Sequence, residues 1–429
     1  MAHVARANLL RLIRFPRVDD LLAAGLAIEL LFISMNTAGL GSPYGILRLL
    51  VLGTAVGAIS LAAISGAARR ERRALDKVWV LALVYFAWVG TQRAMYAEAL
   101  NTALTILGVV VVFVAARVSL EDRVAGLRRW VTVVVVALLL PALVGQGFDA
   151  TARSWFPGLQ GRYFGFSNPD ALGFVAGLAI VLSIPVLSRW RGRTLFGLSV
   201  VLFAITASYT AAIATGLAGI AYFVLSGSRG ARVLRWSIPA LGAATIAGLI
   251  WISTDQGIAA LESLRRHVRL SGRTELWAEL MSLTSIHDYF WTGLGNRGVS
   301  VYTMKIMEVN SAHSTLLQML LSAGFLTTLF FIVVFAVVAM RALSRIIAEP
   351  GRPQRLAFAV VTYMFVTSLV STEPSAPVCI SLIVVLVVSS PGGQSLVEPG
   401  PRTPSERDPF GWWRVPRVLG RRLLGSERG

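Results

Sequence analysis

The chain has 429 residues, of which 55% are hydrophobic and only 14% charged, against about 25% charged in an average soluble domain, and this balance excludes a soluble enzyme. One cysteine, Cys379, excludes an internal disulfide framework, a CxxC redox pair and a thiolate zinc site, while 39 Gly and 17 Pro spread along the chain exclude collagen-like or Pro-rich disorder. The formal charge of +18 raises a nucleic-acid partner until the cations are placed along the chain.

A membrane-crossing helix needs about 20 mostly apolar residues, because lipid offers no partner to an open backbone. Such runs lie at 20–36, 44–64, 78–91, 98–116, 130–147, 169–187, 236–253, 315–340, 356–371 and 377–390. Residues 194–226 are uncharged and too long for one upright helix. Arg189, Arg191 and Arg193 precede this segment, and Arg229, Arg232 and Arg235 follow it. Cytoplasmic loops collect Lys and Arg, so both of its ends belong inside and it crosses twice, turning near Ser208-Tyr209-Thr210.

The expected fold is therefore all-α: a polytopic membrane protein of about twelve spans with both termini cytoplasmic. Of its 40 Lys and Arg, thirty fall on the inside and nine on the outside, with Arg48 inside a span. The +18 is thus mostly an orientation label facing anionic lipids, and no nucleic acid is expected as a partner. Arg6, Arg11, Arg14 and Arg17 before the first span imitate a signal peptide, but 36–45 lack a small-residue cleavage site, so the span is expected to stay. Residues 1–390 form the membrane domain, and 391–429, rich in Pro, Gly and Arg, read as a disordered basic cytoplasmic tail.

Outward chemistry must use the two long outward segments, 148–168 and 254–314. The first runs into Gly161-Arg162-Tyr163-Phe164-Gly165-Phe166-Ser167-Asn168-Pro169-Asp170. Asn168 suits an N-cap, Pro169 the first helical position, and Asp170 the positive end of the dipole. Arg162 just before that helix either snorkels to headgroups or serves a site. In the second segment, 258–269 can form a short amphipathic helix, Ser271-Gly272 break it, and Arg273 begins another with Trp277 one turn on. A cation at that end opposes the dipole. Arg273 there is either paired with Glu262 or Glu275 or placed to grip a phosphate beside free helix N–H groups.

Trp291-Thr292-Gly293-Leu294-Gly295-Asn296-Arg297-Gly298 satisfies G-x-G-x-x-G, yet no βαβ unit surrounds it; a turn needing glycine freedom fits better. The segment closes on Asn310-Ser311-Ala312-His313-Ser314, and a long apolar helix follows, interrupted by Ser322-Ala323-Gly324. His313 at the outer N-terminus of a span is either a hydrogen-bonded anchor or, since the dipole disfavours its protonated form, a neutral imidazole able to accept a proton.

Three motifs in this order and on this side, R-x-x-G-F-x-N-P-x-x-x-G before a span, G-R-x-x-x-W with a following G-x-G turn, and a His opening the next span with S-A-G-F behind it, resemble the O-antigen ligase and polymerase superfamily. The resemblance implies a bacterial plasma-membrane transferase that moves a glycan from a polyprenyl-pyrophosphate carrier to a glycan or lipid acceptor hydroxyl at the outer face, ligase-like or alternatively polymerase-like. It implies that Arg162 and Arg273 hold the pyrophosphate and His313 aids the acceptor hydroxyl. Tyr163, Trp277 and Arg297 are further candidates for lining the site. No metal ligands and no cofactor are expected. The sequence departs from the family at Ser314 and Asp170, where Asn is frequent, and at Tyr209, where an Arg often follows the Ser.

A membrane glycosyltransferase that binds a divalent metal through acids in its first outer loop fits poorly, since 37–44 contain no Asp or Glu. A transporter or lipid-linked glycan flippase should show several intramembrane charges, whereas Glu29 and Arg48 stand out alone and can pair with each other.

Overall fold

The computed structural model describes residues 77–95, 105–106, 120–143, 148–149, 162–163, 169–225, 228–267, 273–282, 289–307, 312–348 and 351–371. Apart from a two-residue antiparallel ladder, the regular structure there is helical. Arg123–Leu143, Pro169–Val186, Gly230–Ile252, Thr315–Ala348 and Arg352–Val370 are each long and apolar enough to cross a membrane. The expected spans 20–36, 44–64 and 377–390 and the tail 391–429 lie outside the described residues, as does all of 98–116 except 105–106.

In chain order the helices are α1 (Lys77–Met95), α2 (Leu120–Leu143), α3 (Pro169–Ser183), α4 (Trp190–Thr206), α5 (Tyr209–Val224), α6 (Ser228–Ile252), α7 (Asp255–His267), α8 (Arg273–Ser282), α9 (Gly295–Met307), α10 (Thr315–Ala348) and α11 (Arg352–Val370). Strands β1 (Phe148–Asp149) and β2 (Arg162–Tyr163) close the first outward segment, with Phe148 opposite Tyr163 and Asp149 opposite Arg162.

The segment 194–226 turns where the sequence suggests. Ala207 ends α4 in a left-handed conformation (φ 50°), and Ser208, extended, caps α5 by accepting the Ala211 N–H at 3.4 Å. The two helices have 17 and 16 residues, about 25 Å each at 1.5 Å per residue, slightly short of the ~30 Å hydrocarbon core. Both pack against α3, which is buried along most of its length.

Small residues make that burial possible. A Cβ added at Gly173 would stand 2.5 Å from the Ser208 Cβ, and one at Gly177 would stand 2.5 Å from Thr215 Oγ1 and 2.6 Å from the Tyr363 hydroxyl. The glycines, one turn apart, let α5 and α11 approach the α3 backbone, the close contact that drives helix association in lipid. Tyr363 also donates to the Phe174 carbonyl at 2.7 Å.

The long helix α10 is broken at Gly324 (φ 80°, ψ 174°), as the Ser322-Ala323-Gly324 interruption suggests. Breaking a helix in lipid exposes backbone groups that must find partners. Here the segment 290–294 supplies them: Leu294 N–H donates to the Leu321 carbonyl at 2.7 Å, and Phe325 N–H donates to the Phe290 carbonyl at 2.8 Å. The backbones meet at glycines, since a Cβ on Gly293 (φ 78°) would lie 2.4 Å from the Ser322 carbonyl carbon, and one on Gly324 would lie 2.1 Å from the Trp291 oxygen. Phe290 stacks on Phe325 (centroids 5.0 Å apart), and Trp291 meets the same ring edge-on. From α1, Gln92 Nε2 donates to the Ala323 carbonyl at 3.3 Å, and Trp88 Nε1 donates to Thr327 Oγ1 at 3.0 Å. Gly324 is nine residues past the start of α10, about 14 Å along its axis, so 290–294 dips well below the helix end.

Candidate functional site

His313 sits immediately before α10 with φ 52°, one of two non-glycine residues at positive φ among those described. That left-handed conformation costs about 1–2 kcal/mol for an L-residue, so its surroundings must enforce it. The neighbours on both sides are buried and tied down. The Trp277 indole N–H donates to the Ala312 carbonyl at 2.7 Å, and the Ala312 N–H donates to Gln318 Oε1 at 2.9 Å. Ser314 Oγ accepts the Leu317 N–H at 3.4 Å, capping α10. Thr315 donates its N–H (2.9 Å) and hydroxyl (2.7 Å) to the Ser371 carbonyl at the end of α11. Ala312, Ser314 and Thr315 are buried, while His313 between them is half-exposed.

Trp277 links this corner to the second candidate. Arg273 is the first residue of α8, as the Ser271-Gly272 break suggests, and Trp277 follows one turn later on the same helix. The helix that begins with Arg273 is thereby hydrogen-bonded to the residue before His313. Its partner α9 begins at Gly295 (φ 71°), includes Arg297, and packs on both α8 and α10. The glycine-rich turn is thus the start of α9, not a dinucleotide loop. The preceding amphipathic helix, expected at 258–269, is α7.

Arg162 lies in β2, which packs against α4. Its neighbour Tyr163 is fully buried and donates its hydroxyl to the Leu138 carbonyl in α2 at 2.5 Å, and burial pushes its phenol above the usual value. The Tyr163 hydroxyl therefore fixes β2 to the bundle. The side chains of Arg162, Arg273 and Arg297 lie outside the described residues. The described contacts tie Arg273's helix to His313, whereas those of Arg162's strand run to α2 and α4.

Sequence reading misses three features here. Gln318 is a lone amide five residues after His313 in an apolar run, and that isolation is its only signal. Ser371 acts through its carbonyl, for which no side-chain pattern exists. Ser208 donates to Asp170 Oδ1 at 2.8 Å, joining the N-termini of α3 and α5; Asp170 and Tyr209, two of the departures from the family pattern, thus fall beside one another.

The described residues form a helical protein with five helices long and apolar enough to cross a membrane, in which the helix that begins with Arg273 is tied to the turn before α10. Residues 194–332, from the mid-chain hairpin through the break in α10, match the family model described as O-Antigen ligase, which supports assignment to the O-antigen ligase superfamily. Members of that family are glycosyltransferase-type ligases or polymerases working on lipid-linked glycans. The match contains Arg273, Trp277, Arg297 and His313, and begins after Arg162. A comparison with curated proteins returned no match.

Proposed function

We propose that this chain is a metal-independent glycan transferase of the ligase type. It moves an oligo- or polysaccharide from a polyprenyl-pyrophosphate carrier to an acceptor hydroxyl at the outer face of the membrane. His313 takes the proton from the attacking hydroxyl, which bonds to the anomeric carbon as the carrier pyrophosphate departs with the electrons of the broken C–O bond. Arg162 and Arg273 stabilise the charge that develops on the pyrophosphate, which fixed guanidinium groups do most effectively where water is scarce. Arg297 lines the same site. The observation that carries this reading is the tie between α8 and His313: the helix that begins with Arg273 is bonded through Trp277 to the backbone that forces His313 into a left-handed turn.

Analysis of carrier-linked glycans after deletion of the gene tests it. Long chains left on the carrier are expected for a ligase. Single unpolymerised units would reassign the enzyme as a polymerase with the same donor chemistry. An unchanged carrier-linked pool would refute both.

A further inference from the structure

We infer that Trp277 and Gln318 are positioning residues that together hold the backbone on both sides of the Ala312 Cα and thereby aim the His313 imidazole; this rests on His313 being the base. The two bonds hold the two peptide groups that flank the Ala312 Cα. Trp277 Nε1 donates to the Ala312 carbonyl at 2.7 Å, in the peptide that joins Ala312 to His313, and Gln318 Oε1 takes the Ala312 N–H at 2.9 Å, in the peptide before it. That places one anchor on α8 and the other on the first turns of α10, with the strained residue next in the chain. The Gln318 main chain is set in the first turn of α10, where its backbone N–H donates to the Ser314 carbonyl at 2.8 Å.

Trp277 is half-buried and packed against the core. With its indole N–H bonded to a backbone carbonyl, it acts on the reaction through His313. Because α8 begins with Arg273, a displacement of that helix is passed toward the His313 backbone through the Trp277–Ala312 hydrogen bond. A side chain in the left-handed region has strong competing conformations, so loss of either anchor lets His313 relax to the ordinary right-handed or extended form. It then leaves its working position while the donor contacts remain.

The test uses the full-length protein in vesicles containing the host's own carrier-linked glycan, with kcat, KM for that glycan and Tm measured for each variant. Trp277→Phe keeps the ring and removes the N–H. Gln318→Met keeps the length and removes the acceptor. Each is expected to lower kcat about tenfold, one hydrogen bond's worth of alignment, with KM for the glycan and Tm nearly unchanged. Gln318→Glu restores an acceptor oxygen and should recover most of the kcat that Gln318→Met loses. The inference fails if kcat stays at the wild-type level in Trp277→Phe and Gln318→Met, if KM rises in step with the loss, or if Gln318→Glu is as impaired as Gln318→Met. His313→Ala separates this from the parent reading. An inactive His313→Ala beside fully active anchor variants overturns positioning alone, whereas an active His313→Ala overturns the base assignment.

Discussion

Single side chains in this protein show how a polar group is put to use in a bundle made of apolar ones. The Tyr163 hydroxyl is committed to the Leu138 carbonyl in a fully buried setting, so Tyr163→Phe should remove one buried hydrogen bond and leave a bare carbonyl. The expected loss is about 1–3 kcal/mol, seen as a lower Tm in detergent. Turnover should fall only as far as the Arg162 strand is loosened, and an unchanged Tm would show that the bond contributes nothing. Candidate residues stood out at this scale because their positions are unusual: Arg273 begins a helix whose dipole its charge opposes, and His313 immediately precedes another helix. Gln318 was not legible, since a single amide near a helix start has many possible uses. The Ala312 N–H at 2.9 Å gives it one.

Among the elements, the break in α10 has the largest consequences. Gly324 adopts φ 80° and ψ 174°, a region essentially reserved for glycine. Its missing Cβ leaves room for the Trp291 carbonyl, which a Cβ would approach to 2.1 Å. Gly324→Ala is therefore expected to cost at least about 3 kcal/mol from backbone strain and overpacking together, read as a large drop in Tm or in folded yield. A wild-type Tm would mean that the 290–294 segment is not seated in the break. Sequence marks both partners of this joint, the two glycines of Gly293-Leu294-Gly295 and the small residues Ser322-Ala323-Gly324. It does not show that they dock, because a backbone contact between distant segments leaves no periodicity behind. The mid-chain hairpin was more legible: flanking arginines required an even number of crossings, and the Ser208 cap gives the turn its place.

For the molecule as a whole, the expected twelve-span topology sorts thirty cations to one side and nine to the other. That topology predicts that the candidate residues and the segment 254–314 face outward. With Cys379 replaced by Ser, Ser285→Cys should react with a membrane-impermeant thiol reagent added to intact spheroplasts. Labelling only after the membrane is opened would invert the topology. The helical, membrane-spanning character was legible from composition and span spacing, and the family match over 194–332 supports the resemblance read from motif order. The docking of 290–294 into the break of α10 was not legible, since hydropathy treats everything between 254 and 314 as one loop. The most direct measurement is turnover of the carrier-linked glycan by vesicles containing His313→Ala or Arg273→Lys. Both variants should fold and reach the membrane, and His313→Ala should lose at least about a hundredfold in rate, as removal of a general base does. Arg273→Lys should be impaired as well, because one ammonium does not reproduce a two-pronged contact. Wild-type turnover in both would contradict a site built from the helix that begins with Arg273 and the His313 turn.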